Sequence, residues 1–419
     1  MLTSEKEKGK HILVVLSNTF PYEKGESFLE EEIRYYRDFD QIYITPLNVN
    51  DFSQKRAISN PSITLLTLSS KSLSKIRLFG WCIRAGFNKQ FFADFSHLIH
   101  IGNCNPATLK RLVIFVALGK HSFAQVKKTL KAQSVDKTDS ITFYSYWMDF
   151  HSYAALLLKD YFPQSKAVSR CHGYDLYEYR NPQKYIPLRK FLLNKLDTVF
   201  CISKDGKKYL EEKYPDVQKN CLISRLGTHD YGESAASQER TILRLISCSW
   251  ISPVKRVPKI LDALMQLKDI EIEWTHFGDG ASLEDLKRSA EQLPTNIKVH
   301  FPGAVPNEKI LGIYHTTPYH VFLNVSESEG VPVSIMEAMS FGIPAIATDV
   351  GGVSEIVQDQ KNGFLLQKEF TDSDLADRIR RFYEMSNEEY ARYRKSARDD
   401  WKENFNAEKN YSDFTDAIR

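Results

Sequence analysis

Short apolar runs alternate with amphipathic stretches along almost the whole chain. HILVVLSN (11–18), QIYITPL (41–47) and ITLLTL (63–68) read as strands, being rich in β-branched residues and too short for buried helices. FLEEEIRYYRDF, between the first two, has helical spacing. Two further helices are expected at roughly 72–97 and 106–131, split by the GNCNP breaker. Strands at 141–147, 166–173, 197–203 and 220–227 then alternate with helices at 150–160, 184–194 and 204–213. THDYGESAASQER (228–240) is polar and aperiodic and reads as a linker. Beyond it the alternation restarts, with strands at 242–250, 270–280, 297–303, 320–326, 344–350 and 363–367. Helices fall between them at 256–267, 282–291, 307–314 and 332–340, with a helical turn at 352–357. The last stretch, 372–417, is helical and charged, with Trp401, Phe405, Tyr411 and Phe414 spaced to pack. Strand–helix alternation of this kind predicts α/β domains, each a doubly wound parallel sheet covered on both faces. Two in tandem are expected, 1–228 and 241–395, separated by 229–240. Strand carboxyl ends would point into a cleft between them, where such sheets bind ligands.

Size and composition agree with two globular domains. The chain has 419 residues, 42% apolar and 26% charged. A net charge of +3 is too small to imply a nucleic-acid partner, but its distribution is uneven. Residues 71–131 carry eleven Lys or Arg against one acidic residue, Asp94, interleaved with Trp81, Phe87, Phe91, Phe92, Phe95 and Phe115. Such a segment suits an anionic membrane surface, or else a solvated helical face packed by its aromatics. No apolar run is long enough to span a bilayer; LVIFVAL (112–118) has the length of a core segment. The polar start MLTSEKEKGKH lacks the apolar region of a signal peptide. Six cysteines without CxxC spacing suggest reduced thiols and a cytoplasmic protein.

Several residues at strand ends could carry chemistry. Gly25, Gly173, Gly278, Gly280 and the pair Gly351–Gly352 each follow a strand. Backbone there can approach a phosphate closely, although a βα turn needs glycine for its own geometry. Neither GxGxxG nor GxxxxGK[ST] occurs. Lys255 and Arg256 follow SWISP at the start of a helix, where cations oppose the helix dipole unless they hold an anion such as a diphosphate. Otherwise they are a solvated pair. Glu329 and Glu337 flank the start of another helix, with Ile335, Ala338 and Met339 forming its core stripe. Carboxylates so placed can accept from ribose or hexose hydroxyls, run acid/base hydrolysis, or simply be surface residues. His172, in SRCHGYD, stands at a strand end near Asp175 and suits a phosphate or sugar hydroxyl, proton transfer or a structural role.

Taken together, these stretches resemble glycosyltransferase family 4, the large retaining family of GT-B fold, over nearly the whole chain and most strongly over 241–367. The segment EGVPVSIMEAMSFGIPAIATDVGGVSEIV matches the family's signature of two glutamates separated by seven residues, then a strand and a Gly-Gly turn. The resemblance implies two Rossmann-like domains facing each other across a cleft, the first on the acceptor side and the second on the nucleotide-sugar side. It also implies that a C-terminal helix, 396–419, returns to the first domain. By the same resemblance Glu337 binds the ribose hydroxyls and Glu329 lies beside the donor sugar. Backbone from Gly330 through Val331 to Val333 approaches the sugar and diphosphate, Lys255 contacts the diphosphate, and Gly278 and Gly280 line the nucleotide pocket. His172 matches the first-domain histidine near the sugar and its phosphate, and Gly25, beside Glu26, occupies the Gly-rich first loop.

The chain departs from the family pattern at two places. Ser249–Trp250 stands where the family has Gly-Arg before the phosphate lysine, and the first loop has one glycine where many members have two. Arg256 is the candidate replacement for the missing arginine. The resemblance implies transfer from a UDP- or GDP-linked sugar to a hydroxyl of a glycan or lipid-linked glycan, with retention and without a metal or other cofactor. It further implies a role in surface-polysaccharide biosynthesis and a cytoplasmic enzyme held peripherally on the membrane through residues 71–131. The alternatives are a sugar-nucleotide epimerase of the same fold, or a catalytically silent sugar-binding scaffold.

Overall fold

The computed structural model describes residues 9–23, 25–68, 80–81, 88–216, 220–234 and 240–419. The chain forms two compact units. The first comprises Met1–Ile202, Gly206–Ser224 and Tyr411–Arg419, and the second Ser203–Asp205 and Arg225–Asn410.

The first unit is built on seven parallel strands: β1 (His11–Ser17), β2 (Gln41–Pro46), β3 (Ile63–Leu65), β4 (Ser140–Ser145), β5 (Ser165–Cys171), β6 (Thr198–Cys201) and β7 (Cys221–Ile223). Their order is β3-β2-β1-β4-β5-β6-β7, so the chain reverses direction across the sheet between β1 and β4. Ile12 to Leu16 of β1 are fully buried, as expected of a parallel strand covered on both faces. Helices α1 (Ser27–Glu32), α2 (Lys89–His100), α3 (Pro106–Ala132), α4 (Phe150–Tyr161), α5 (Arg189–Lys195) and α6 (Lys204–Lys213) cover the sheet. Asn105 and Thr108 close a reciprocal capping box at the start of α3, with Pro106 in its first turn. Gly119 then lets α3 meet α4, since a Cβ there would lie 2.4 Å from the Tyr153 ring. The expected helix over 72–97 lies partly outside the described residues, at 72–79 and 82–87.

One face of this sheet is completed by the chain's end. Phe414 and Ile418 are buried in the same core as Leu13, Val15, Tyr144 and Phe200. The Thr142 hydroxyl donates to the Ile418 carbonyl at 3.0 Å, and Thr415 donates to that of Tyr35 at 3.2 Å. Beneath Phe414 lies the Arg170 guanidinium, fully buried, 3.1 Å from Glu32 and 4.0 Å from the Phe414 ring centroid. Tyr36 and Tyr144 bond to the two members of that ion pair, which satisfies part of the polar surface it carries out of water.

The second unit repeats the plan with six parallel strands. These are β8 (Leu243–Cys248), β9 (Ile272–Phe277), β10 (Ile297–Gly303), β11 (Val321–Asn324), β12 (Ala345–Thr348) and β13 (Gly363–Leu366), in the order β10-β9-β8-β11-β12-β13. Here the reversal falls between β8 and β11. Helices α7 (Pro258–Leu264), α8 (Leu283–Ala290), α9 (Asn307–Thr316) and α10 (Val333–Ser340) follow successive strands. The stretch 372–417, expected to be helical, forms three helices: α11 (Asp372–Glu384), α12 (Asn387–Asn404) and α13 (Ala407–Ile418). Ser386 ends the first by capping the second, its hydroxyl accepting from the Glu389 N–H at 3.1 Å. Both sheets are thus doubly wound, as the alternation predicts.

Candidate functional site

In the second unit the loops leaving β8, β9, β11 and β12 converge at the carboxyl edge, beside the reversal point. The β8 and β9 loops bond edge to edge: Ser249 N–H donates to Phe277 O at 3.0 Å and Ile251 N–H to Asp279 O at 2.8 Å. Gly278 and Gly280 make this approach possible. A Cβ on Gly278 would stand 1.8 Å from Ser249 O, and one on Gly280 2.2 Å from Ile251 O. Trp250, between the two bonded residues, keeps a fixed backbone while its indole is 62% exposed.

The β8 loop is also laced to the loop after β11. Glu327 N–H donates to Val254 O at 2.7 Å. Arg256, with φ of 48°, donates to the carbonyls of Val325, Ser326 and Lys368 and to the Thr348 hydroxyl, and lies over the Phe370 ring. Its guanidinium therefore braces three segments of the protein, and burial lowers its pKa. The brace leaves Lys255 facing Glu329, with an ammonium–carboxylate distance of 2.6 Å. Asn324 Nδ2 lies 3.4 Å from the same carboxylate oxygen. Glu329 is buried, and its backbone is held from behind by the Gly-Gly turn: Gly352 N–H donates to Gly330 O at 2.7 Å. A Cβ on Gly351 would sit 2.1 Å from Glu329 O, which accounts for the glycine and its φ of 56°. Val331 is buried. Val333 and Ser334 open α10 after Pro332, and their N–H groups have no carbonyl of the helix to bond.

Glu337 lies within α10 and is half-buried. Burial pushes its carboxyl up to about 7, against a hydrogen bond of 2.9 Å from Asn307 Nδ2 that favours the charged form. The Cys248 thiol is pushed up to about 12 by burial and then by the charge of Glu337, while Lys255 acts in the opposite sense. Cys248 therefore feels the charge of both groups. Tyr314 is fully buried nearby, its hydroxyl without a hydrogen-bond partner and its pKa raised by burial, then by Cys248 and Glu337. Across the β8 end, His276 bonds Ser247 at 2.8 Å, and burial brings it down to about 4, so the ring is neutral. Asn307, Cys248 and Tyr314 carry no sequence signal; each becomes relevant only through its neighbours in space.

His172 and Gly25 belong to the first unit. The His172 ring is buried between Tyr146 and Trp147, at centroid distances of 4.7 and 4.5 Å. Its Nδ1 is 3.7 Å from Asp175, and neither ring nitrogen completes a hydrogen bond. Burial acts to raise the Asp175 pKa, but the interaction with His172 and the N–H groups of Met148 and His172 outweigh it and hold the carboxyl low. Gly25 is exposed, and its neighbour Glu26 does the binding in this loop. The Glu26 carboxylate accepts from the N–H groups of Asn18, Thr19 and Phe20 at 2.7 to 2.8 Å and from Trp147 Nε1 at 2.8 Å. Three successive N–H groups form an anion nest, and the chain's own carboxylate fills it. Through Trp147 the first loop is thereby tied to His172.

Among the described residues no group of three or more His, Cys, Asp or Glu side chains could hold a metal ion. Nor is any described helix long and apolar enough to cross a membrane. Comparison with known proteins gives a consistent picture. Residues 237–400 match the family described as glycosyl transferases group 1. The chain is 25% identical over 251 residues to the putative colanic acid biosynthesis glycosyltransferase WcaL of Escherichia coli K12, covering 58% of this chain and 61% of WcaL. It is 26% identical over 211 residues to the O-antigen biosynthesis glycosyltransferase WbnH of Escherichia coli, covering 50% of this chain and 56% of WbnH. Each match therefore spans rather more than half of the relative. The crystal structure of Anabaena Alr3699/HepE in complex with UDP superposes with a TM-score of 0.65 at 15% identity, covering 97% of this chain and 99% of HepE.

Proposed function

We propose that this chain, a GT-B-fold relative of the group 1 glycosyl transferases, moves a sugar from a nucleotide-sugar donor to a hydroxyl of a glycan or lipid-linked glycan. We further infer retention of configuration, no metal requirement and a place in polysaccharide biosynthesis, the field in which WcaL and WbnH are named. The observation that carries the reading is the Lys255–Glu329 pair at 2.6 Å in the loops at the carboxyl edge of the second sheet, with the half-buried Glu337 on the helix that follows. In this reading Glu337 accepts from the ribose hydroxyls, and Lys255 turns from Glu329 to the diphosphate. Glu329, freed of its partner, lies against the donor sugar. N–H groups from Gly330 to Val333 meet the sugar and diphosphate, and Gly278 and Gly280 shape the nucleotide pocket. Arg256 contributes by fixing the loop that aims Lys255. HepE is a UDP complex, which favours a uridine nucleotide over guanosine.

The acceptor oxygen bonds to the anomeric carbon as the carbon–oxygen bond to the diphosphate breaks. The hydroxyl proton leaves with the diphosphate, on the face the nucleotide vacates. Lys255 and the N–H groups stabilise the charge that grows there. His172, its ring nitrogens unpartnered, donates to a sugar hydroxyl or phosphate. We place the protein peripherally on the cytoplasmic face of the plasma membrane through residues 71–131. In the described part of that stretch Phe92, Ile99 and Ile101 are exposed, as are Lys89 and Lys110, while 71–79 and 82–87 lie outside the described residues.

Calorimetric titration with UDP, GDP and ADP tests the donor assignment. The intact protein is expected to bind one of them, and Glu337→Ala to lose at least about 2 kcal/mol of that affinity with its thermal unfolding still cooperative. Unchanged affinity in the variant would sink the assignment of Glu337.

A further inference from the structure

Three cysteines without any shared sequence spacing meet in the core of the first unit. Cys171 ends β5, Cys201 ends β6 and Cys221 opens β7, so three neighbouring strands carry them into one apolar cluster. All three are free thiols. Cys171 and Cys201 are direct partners in the parallel ladder, and their sulfurs lie 3.6 Å apart. Residues opposed on neighbouring strands stand about 4.8 Å apart, inside the Cα window of about 4.4–6.8 Å that a disulfide requires. The pair is therefore placed for a covalent bond that it has not formed.

The three thiols differ in access and in acidity. Cys171 and Cys201 are fully buried, whereas Cys221 is 8% exposed on the edge strand, next to the exposed Leu222 and Ile223. Hydrogen bonds to Cys171 and to Cys221 push the Cys201 thiol up, and burial adds to them. The bond from Cys201 brings the Cys221 thiol down against burial, with Lys207 and Arg189 acting in the same sense. Cys221 is thus the readiest of the three to become a thiolate, the form that reacts with oxidants. At the other end of the cluster Cys171 is followed at once by His172, whose N–H donates to Asp175 at 2.8 Å. A disulfide would draw the sulfurs of Cys171 and Cys201 from 3.6 Å to about 2.05 Å. A close-packed core transmits such a change, so the ends of β5 and β6 must shift and carry His172 with them.

We propose that Cys171, Cys201 and Cys221 form an oxidation site, at which a peroxide reacts with Cys221 and the resulting bond is passed inward to join Cys171 to Cys201. In the first step the Cys221 thiolate attacks a peroxide oxygen. The S–O bond forms as the O–O bond breaks, leaving a sulfenic acid and hydroxide. The Cys201 sulfur then attacks that of Cys221, the S–O bond breaks, and the oxygen leaves as water with the Cys201 proton. Last, the Cys171 sulfur displaces Cys221 from Cys201, and the Cys171 proton passes to Cys221. Two electrons have moved from the Cys171–Cys201 pair to the peroxide, and Cys221 is again a thiol. The site stands on the three sulfurs; its consequence for sugar transfer, through His172, rests on the glycosyltransferase reading above.

The test treats the full protein, carrying Cys82→Ser and Cys104→Ser, with hydrogen peroxide, and blocks the remaining thiols with N-ethylmaleimide in denaturant. Trypsin separates the three cysteines into CHGYDLYEYR, LDTVFCISK and NCLISR, so mass mapping reads each one. The first two peptides are expected as a cross-linked pair that dithiothreitol releases, with NCLISR alkylated. Cys221→Ser, at the edge of the core, should slow the cross-link by about tenfold or more. The imidazole resonances of His172, identified by their loss in His172→Gln, should move on oxidation and return with dithiothreitol. Alkylation of both Cys171 and Cys201 after peroxide overturns the proposal, as does cross-linking at an undiminished rate in Cys221→Ser. A cross-link that leaves the His172 resonances in place removes its link to the candidate site. Cross-linking in a protein that binds no nucleoside diphosphate keeps the oxidation site and removes the donor reading; UDP binding without the cross-link does the reverse.

Discussion

Glu337 is the residue at which function and stability pull apart. Its ordinary value is 4.5 and burial pushes it up to about 7, so the fold prefers the protonated carboxyl. For an acid raised in the folded state, stability is greatest below the ordinary value. It falls as pH rises from about 4.5 to about 7, and stays lost above. The penalty is on the order of 3 kcal/mol for a shift of this size, reduced where the group remains open to water. Ribose hydroxyls are donors and favour the ionised form, so nucleotide binding should strengthen over the same range. Glu337→Gln is therefore expected to raise the midpoint of thermal unfolding by a few degrees at about pH 8 and to leave it unchanged at about pH 4. Parallel scans at the two pH values check this; an equal change at both would mean that the burial of this carboxyl stores no free energy.

At the scale of elements, the site depends on loops that touch through backbone alone. Gly280 lets the β9 loop lie against Ile251, four residues before Lys255. Gly280→Ala should push the two loops apart and weaken UDP binding by about tenfold, while most of the sheet is undisturbed. Gly312, inside α9, has open space around its missing Cβ, so Gly312→Ala should stabilise by about 0.5–1 kcal/mol and leave UDP binding alone. Titration and melting of both variants provide the check, and a Gly280→Ala protein with normal UDP affinity would refute the loop argument. The same contrast shows what sequence could reveal. The central strands are legible because parallel strands buried on both faces are short, nearly unbroken apolar runs, and the edge strands β3, β7 and β10 still show β-branched residues between turn signals. The spacing of Glu329 and Glu337 was legible too. Ser386 in SNEE, which divides the helical stretch 372–417 by capping α12, is hidden by charged residues that continue a helical pattern on both sides. In the sequence Glu26 stands out only as a neighbour of Gly25, because a carboxylate filling a backbone nest depends on the loop's fold. Asn307 meets Glu337 from thirty residues away, and no local pattern marks such a meeting.

For the whole molecule, the two units have separate sheets and separate cores, and the proposed nucleotide-binding groups Lys255, Gly278, Gly280 and Glu337 lie in the second. A ligand stabilises the states that bind it, by about 2.7 kcal/mol at a hundred times its Kd. Amides that exchange only when the second unit opens should therefore slow by about a hundredfold under UDP at that concentration, and those governed by opening of the first should keep their rates. The C-terminal helices make the comparison internal to one stretch of chain. α12 is part of the second unit, whereas Tyr411–Arg419 belongs to the first, where Phe414 and Ile418 are buried in its core. Hydrogen exchange with UDP should gain protection in α12 and not at the end of α13, with the change falling near Asn410. Equal gains on both sides of Asn410 would show that the units open together or that the nucleotide stabilises both, and either result would end the assignment of the nucleotide chiefly to the second unit.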